Sequence, residues 1–261
     1  MMDAINPETA ENLPVATILG VKVHAITSAQ TIKLIEKFIA DGEPHQLTTV
    51  NPEFVVKAQK DSEFRHIINK SALALPDGIG LIKAARLLGV TPLPERVAGS
   101  DLVVRLAELS HLRGYRVFFL GAQPGVAERA IERLRLQFPN MQVVGAFAGS
   151  PGLSENKAIV ERILAAAPQI LLVAYGAPQQ DKWIARNLDR LQIPVCIGVG
   201  GSFDFLAGIT RRAPVWIQRL QLEWLHRLVM QPWRWKRIWN AVPVFSWLVL
   251  RQKFSKAQKP G

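Results

Sequence analysis

Residues 163–180 read ILAAAPQILLVAYGAPQQ, a long stretch without a charged side chain. Eighteen uncharged residues are enough to suggest a membrane-spanning helix. Pro168, Gly176 and Pro178 argue against one, because they break any helix drawn through the stretch. It reads instead as the end of a helix, then a short buried strand at Gln169–Ala174, closed by a glycine and proline turn. An apolar strand with no alternating polar face belongs in a parallel sheet covered on both sides.

The same reading extends outward in both directions. Tyr115–Leu120, Met141–Ala146 and Pro194–Val199 are three more short buried strands, separated by helices around Val126–Phe138, Ser154–Ala167 and Gln179–Leu191. Towards the N-terminus, Val15–Ala25 is strand-like, and Ser28–Ala40 has helical spacing with Gly42 as its stop. Gln46–Val50 is a strand followed by Asn51 as helix cap and Pro52 at the first helical position. A further helix starts at Asp61, and Ser71–Leu75 is a buried strand ending in Pro76-Asp77-Gly78. Ile79–Leu88 returns to helix before Gly89, and Ser100 is expected to cap a helix reaching about Arg113. The alternation predicts an α/β fold, a mostly parallel sheet with helices on both faces in the Rossmann-like manner. After Pro214 only helices are expected, so the chain divides into a loose tail at 1–14, an α/β domain at 15–210 and a helical appendage at 211–261.

The chain has 261 residues, 49% of them hydrophobic and 20% charged, which excludes disorder as the main state. One cysteine, Cys196, excludes an internal disulfide or a thiolate metal cluster and suggests a reducing, cytoplasmic setting. Residues 1–14 carry Asp3, Glu8 and Glu11 and have no apolar core, so no secretory signal is expected there. The formal net charge is +11, and its location is informative. From Arg211 onward eleven Lys or Arg stand against the single acid Glu223, so the body is nearly neutral and the appendage basic. Six of the seven tryptophans lie in the same segment, and Trp mixed with Arg is typical of a membrane interface. Trp216, Leu220, Trp224 and Leu228 recur every four residues and give one apolar face. The run Trp239–Leu250 is too short to span a bilayer and contains Pro243, so the appendage is expected to lie on a membrane without crossing it.

Ligands of parallel sheets bind outside the carboxyl ends of the strands, and the polar motifs fall there. Thr49 and Asn51 at one strand end can contact a sugar or phosphate, or Asn51 can simply cap the next helix. Asp77 follows an apolar strand, where poor solvation would suit a general base, although an Asp before Gly is also a common turn. Arg96 precedes a helix start, a geometry suited to an anion or to a surface ion pair. Gly121 opens a glycine turn that is a possible phosphate cradle, but the full dinucleotide pattern and its ribose-binding acid are missing, which leaves an oxidoreductase unsupported. Gly176, Pro178 and Gln180 close one further strand, and Gly198, Gly200, Gly201 and Asp204 another, with Gln180 and Asp204 able to bond sugar or base edges. No Asp-x-Asp pair occurs and the five histidines lack ligand spacing, so no metal or other cofactor is expected.

Six ordered motifs together carry a resemblance. They are T-x-N-P-E-F-V around 49, P-D-G-I-G from 76, P-L-P-E-R-V-A-G-S-D-L from 92, F-L-G-A-Q-P-G-V-A from 119, G-A-P-Q-Q-D-K-W from 176 and G-V-G-G-S-F-D-F-L-A-G from 198. From about residue 15 to beyond 240 the chain resembles the WecG/TagA/CpsF glycosyltransferases. The resemblance implies an inverting, metal-independent transfer of a sugar, commonly of N-acetylmannosamine type. The donor would be a UDP-sugar and the acceptor a polyprenyl-diphosphate-linked sugar, on the cytoplasmic face of a bacterial membrane. It also implies Asp77 as base, Thr49 and Asn51 as its polar neighbours, Arg96 and Gln180 as further active-site residues, and 198–204 as part of the nucleotide site. Arg227, Arg234 and Arg237 occupy the places of tail arginines thought to complete the site at the membrane, and self-association is also implied. Asp181 departs from the family, where Glu is frequent at that position. A nucleic-acid-binding module using the basic tail is the alternative from another class, and it leaves the six motifs of a neutral body unexplained.

Overall fold

The structure is a computed structural model that describes residues 9–210, 214, 217, 223–230 and 232–257. A hairpin of β1 (Val15–Ile18) and β2 (Val21–His24) precedes α1 (Ser28–Asp41), β3 (His45–Val50), α2 (Pro52–Ala58) and α3 (Ser62–Lys70). Then come β4 (Leu73–Pro76), α4 (Ile79–Leu88), α5 (Gly99–Arg113), β5 (Val117–Gly121), α6 (Val126–Gln137), β6 (Val143–Phe147) and α7 (Leu153–Ala166). The α/β part ends with β7 (Ile170–Ala174), α8 (Gln179–Leu191), β8 (Val195–Gly198) and the short α9 (Ser202–Leu206). The last segment carries α10 (Glu223–Met230), a 3-10 turn at Pro232–Arg234, α11 (Trp235–Trp239), a π-helical stretch at Asn240–Val244 and α12 (Phe245–Ala257). Trp216 and Leu220, half of the expected four-residue stripe, lie outside the described residues.

Six strands form one parallel sheet in the order β4-β3-β8-β7-β5-β6. The opening stretch shows why its strands are apolar throughout. Ile170, Leu172 and Ala174 of β7 pack on one face with α1, α5, α6 and α9, while Leu171 and Val173 pack on the other with α7 and α8. Each residue therefore meets a helix layer whichever way it points. Local capping also follows the sequence. Asn51 Oδ1 accepts the Phe54 N–H at 3.1 Å behind Pro52, Asp61 Oδ1 accepts the Phe64 N–H at 2.9 Å, and Gly42 ends α1 with φ 79°.

Two local expectations are corrected. Val15–Ala25 is a hairpin of two antiparallel strands rather than one strand, turned by Leu19 and Gly20, both at positive φ. A leucine there carries no turn signal. It is held because its N–H donates to Gln252 Oε1 (3.0 Å), its carbonyl accepts from Gln59 (2.9 Å), and its side chain packs on the core. Ser100 does not cap α5, which begins at Gly99 after Ala98 with no side-chain cap. Gly99 is pressed against the strand ends, where a Cβ would lie 3.4 Å from Thr49 Cγ2 and 3.5 Å from Ser202 Oγ.

The last helix belongs partly to the body. Phe245 and Val249 are buried in a cluster with Ala16, Ile18, Phe54 and Leu81, and α12 packs on α2 and α4. Among the described residues no helix is long and apolar enough to cross a membrane.

Gly121 supplies a test of the sheet. Its φ is 98°, and a Cβ would stand 2.8 Å from the Ala174 carbonyl carbon and 3.1 Å from the Ala174 nitrogen. Gly121→Ala is therefore expected to lower unfolding free energy by about 2–4 kcal/mol, the sum of backbone strain and overpacking. Urea denaturation measures this, and an unchanged midpoint would contradict it.

Candidate active site

Parallel pairing brings the carboxyl ends of the strands to one edge of the sheet. Val50 of β3 pairs with Pro76 of β4, so Asn51 and Asp77 follow side by side. The Asp77 N–H donates to the Val50 carbonyl at 2.7 Å. Gly78 and Gly80 allow this approach, since a Cβ on either would fall 3.0 Å or 2.8 Å from the Pro52 ring. The loop carrying Arg96 is tied to the same corner, because the Val97 N–H donates to the Pro76 carbonyl (2.9 Å) and the Ser28 N–H donates to the Glu95 carboxylate. Asp77, Asn51 and Arg96 are all half-buried there, with the Arg96 guanidinium 3.9 Å from the Asp101 carboxylate.

Thr49 is buried, and its hydroxyl donates to the Gly198 carbonyl at 2.8 Å, joining the ends of β3 and β8. Gln180 is buried too. Its Oε1 accepts the N–H groups of Gly176 (3.1 Å) and Gly200 (2.9 Å), one from the loop after β7 and one from the loop after β8. The sequence reads both Thr49 and Gln180 as ligand contacts; their hydrogen bonds in the structure tie together the strand ends and loops of β3, β7 and β8. Pro178 follows a cis peptide bond and stands at the start of α8. Gly201 is exposed and lies over the half-buried Asp204, whose carboxylate would be 3.5 Å from a Cβ on Gly201. Gly121 is accounted for by its contact with β7, which is a packing reason for a glycine that the motif alone suggested as a phosphate cradle.

Of the three tail arginines, Arg237 has a described side chain, and it meets α2. Its Nε donates to both carboxylate oxygens of Glu53, at 3.1 and 3.0 Å. The side chains of Arg227 and Arg234 lie outside the described residues. Glu53 is buried on α2, two residues beyond Asn51, and also pairs with Lys57 Nζ at 2.9 Å. Lys57 in turn donates to the Ala177 carbonyl (2.9 Å), which belongs to the β7–α8 loop. A carboxylate out of water is tolerated when cations meet it, and here two do. Glu53 stands within the T-x-N-P-E-F-V motif, which by itself assigns it no role. The available signal was an acid in the first turn behind Pro52 with Lys four residues on, a pattern that on most helices is only a surface pair.

Among the described residues, Asp181 is the other buried acid. Burial pushes its pKa up to about 7, against the Gln180 amide, the Thr48 hydroxyl and the Lys57 charge, which act to lower it. Nothing at the sequence level marked it as buried, since its place in α8 reads as an ordinary first-turn acid.

Comparison with known proteins bears on this geometry. The profile of the "Glycosyl transferase WecG/TagA/CpsF family" matches residues 16–259. The N-acetylglucosaminyldiphosphoundecaprenol N-acetyl-beta-D-mannosaminyltransferase of Bacillus subtilis (strain 168) is 35% identical over 211 residues, 80% of each chain. The enzyme of that name from Staphylococcus aureus (strain MW2) is 32% identical over 252 residues, 94% of this chain and 96% of its own. That from Bacillus spizizenii is 32% identical over 212 residues, 81% of each chain.

The Glu53 contacts generate an expectation. Glu53→Gln keeps the shape and removes the charge that Arg237 meets, so amide hydrogen exchange across 235–244 is expected to rise by about tenfold while the sheet strands keep their rates. Unchanged exchange in that segment would show that Phe245 and Val249 alone hold it.

Proposed function

Because the chain belongs to the WecG/TagA/CpsF family of glycosyl transferases, we propose that it moves an N-acetylmannosamine-type sugar from a UDP donor to a polyprenyl-diphosphate-linked sugar, with inversion. The observation that carries the mechanism is the placement of Asp77 at the end of β4, beside Asn51 and beneath the Arg96 loop. The relatives' names describe an acceptor of N-acetylglucosaminyl-diphospho-undecaprenol and a transferred N-acetylmannosaminyl group, and this reading takes the same chemistry.

In the proposed step the Asp77 carboxylate takes the proton of the acceptor hydroxyl as that oxygen attacks the anomeric carbon. The bond from that carbon to the UDP oxygen breaks, and UDP leaves with the electron pair. Attack opposite the leaving group inverts the centre. The leaving diphosphate gains negative charge, and no Asp-x-Asp pair is present to hold a metal beside it. Cations and backbone N–H groups must then meet that charge, and this reading gives the task to Arg96 and to the tail arginines Arg227, Arg234 and Arg237. The glycine loops 176–180 and 198–204 are assigned to the nucleotide.

The acceptor is lipid-linked, so the site has to work at a membrane surface. Trp233, Trp235, Trp239 and Trp247 are all exposed, and Lys236 and Arg251 lie 5.6 Å from the rings of Trp235 and Trp247. This supports peripheral attachment of the tail to the cytoplasmic face of the membrane, with the aromatic rings in the interface and the cations at anionic headgroups. The same exposed apolar surface supports self-association in solution.

Asp77→Asn is expected to cut acceptor-dependent UDP release by about 100- to 10,000-fold, the usual contribution of a positioned base, while UDP binding measured by calorimetry stays largely unchanged. Turnover at the parent rate would remove Asp77 from the role of base.

A further inference from the structure

A cluster of polar atoms lies behind the crevice and takes no part in the proposed transfer. The Gln180 amide nitrogen, both Asp181 carboxyl oxygens and the Thr48 hydroxyl are sealed from water and close no hydrogen bond of good geometry, yet the Gln180 amide and the Thr48 hydroxyl approach the Asp181 carboxyl closely enough to act against the rise of its pKa. The Gln180 and Asp181 side chains crowd Gly198. A Cβ there would fall 2.6 Å from Gln180 Nε2 and 3.0 Å from Asp181 Oδ1, so only glycine leaves them room. An ionisable group kept fully buried at such a place, where an apolar side chain would avoid the desolvation cost, calls for a reason beyond packing.

The two ends of the Gln180 amide give that reason. Its oxygen already takes the N–H groups of Gly176 and Gly200, which fixes its nitrogen on the opposite side, towards Asp181. A buried NH2 group with no acceptor nearby would gain by swinging out to water, and the two glycine amides would lose their partner. Asp181 offers an acceptor in either protonation state, because one carboxyl oxygen remains a lone-pair site even when the other carries a proton. The Gln46 amide, donating to the Asp181 carbonyl at 3.0 Å, holds the start of α8 against β3 and keeps the carboxyl in place.

We propose that Asp181 is a positioning residue: its buried carboxyl retains Gln180 in the inward orientation that clamps the Gly176 and Gly200 loops together at the crevice. Its bearing on catalysis rests on the reading of those loops as the donor site, whereas the clamp itself does not. Glycine loops are the most mobile backbone available, and without the Gln180 bridge each would pay its own ordering cost when a nucleotide binds. Asp181 thus acts on the donor through another residue and never touches it.

The test compares the full chain with Asp181→Leu, which removes the acceptor at similar size, and Asp181→Asn, which keeps one. Amide hydrogen exchange followed by NMR is expected to show Gly176 and Gly200 exchanging at least about tenfold faster in the leucine variant and near the parent rate in the asparagine variant. Leu172 and Ile197 within the strands should keep their rates in both. Equal protection of the two glycines in all three proteins overturns the clamp, as does an asparagine variant as fast as the leucine one, or acceleration spread evenly across the sheet. Asp181→Ala lacks the acceptor too and carries the same expectation if the leucine variant does not fold. In turnover assays the leucine variant should raise the donor KM by about tenfold with kcat within about threefold, and the asparagine variant should recover the KM. An unchanged donor KM in the leucine variant overturns the link to the reaction. A parent protein that turns over no UDP-sugar instead overturns the transferase reading, and the exchange result still decides the clamp.

Discussion

Parallel pairing of β3 with β4 on one side and β8 on the other is the constraint on which the crevice depends. It sets the ends of three segments, separated by up to about 150 residues of chain, within one row, with Asp77, Asn51 and Gly198 as near neighbours along it. Parallel strands cannot be joined by a tight turn, so each return runs through a helix, and the helices cover both faces. The carboxyl edge is then the one place where loops, backbone amides and polar side chains can collect without breaking the core. Thr49 strengthens that row by donating across the β3–β8 junction, and Gln180 does the same one strand further along by bridging the loops after β7 and β8.

Two buried acids near this edge are handled in opposite ways. Glu53 has Lys57 and Arg237 within ion-pair distance, and through them it links α2 to the β7–α8 loop and to the C-terminal segment. Asp181 has only neutral groups against it and Lys57 at longer range, so burial dominates and its pKa climbs to about 7. One acid works as a charged joint between elements, and the other as a fixed acceptor inside the wall of the site.

The C-terminal segment combines two surfaces on one stretch of chain. Phe245 and Val249 complete the apolar cluster over β1, β2, α2 and α4, which anchors α12 to the body. Trp233, Trp235 and Trp239 ahead of that anchor and Trp247 between its two residues are exposed, Trp233 at 73%. Anchoring one face leaves the other available in a fixed orientation relative to Asn51 and Asp77. Under the proposed reading, a body acting on a lipid-linked acceptor needs that arrangement, because the strand-end edge then has to face the membrane.

The sequence by itself determined the sheet class, the six strands of the parallel sheet, most helix ends and the row of motifs at the strand ends. These follow from period and capping, which act over a few residues: the unbroken apolar run of β7, Asn51 and Pro52 at the start of α2, and Gly42 after α1. Tertiary structure alone decided which way the polar side chains turn. Leu19 sits in a hairpin turn because Gln252 and Gln59 hold it from far along the chain, and Gly121 is glycine because β7 lies against it. Gln180 and Asp181 point inward because Gly198 makes room for them, and Arg237 finds Glu53 184 residues away. No local pattern encodes such partners, since a polar residue in a first turn or a loop is equally well solvated until another element packs over it.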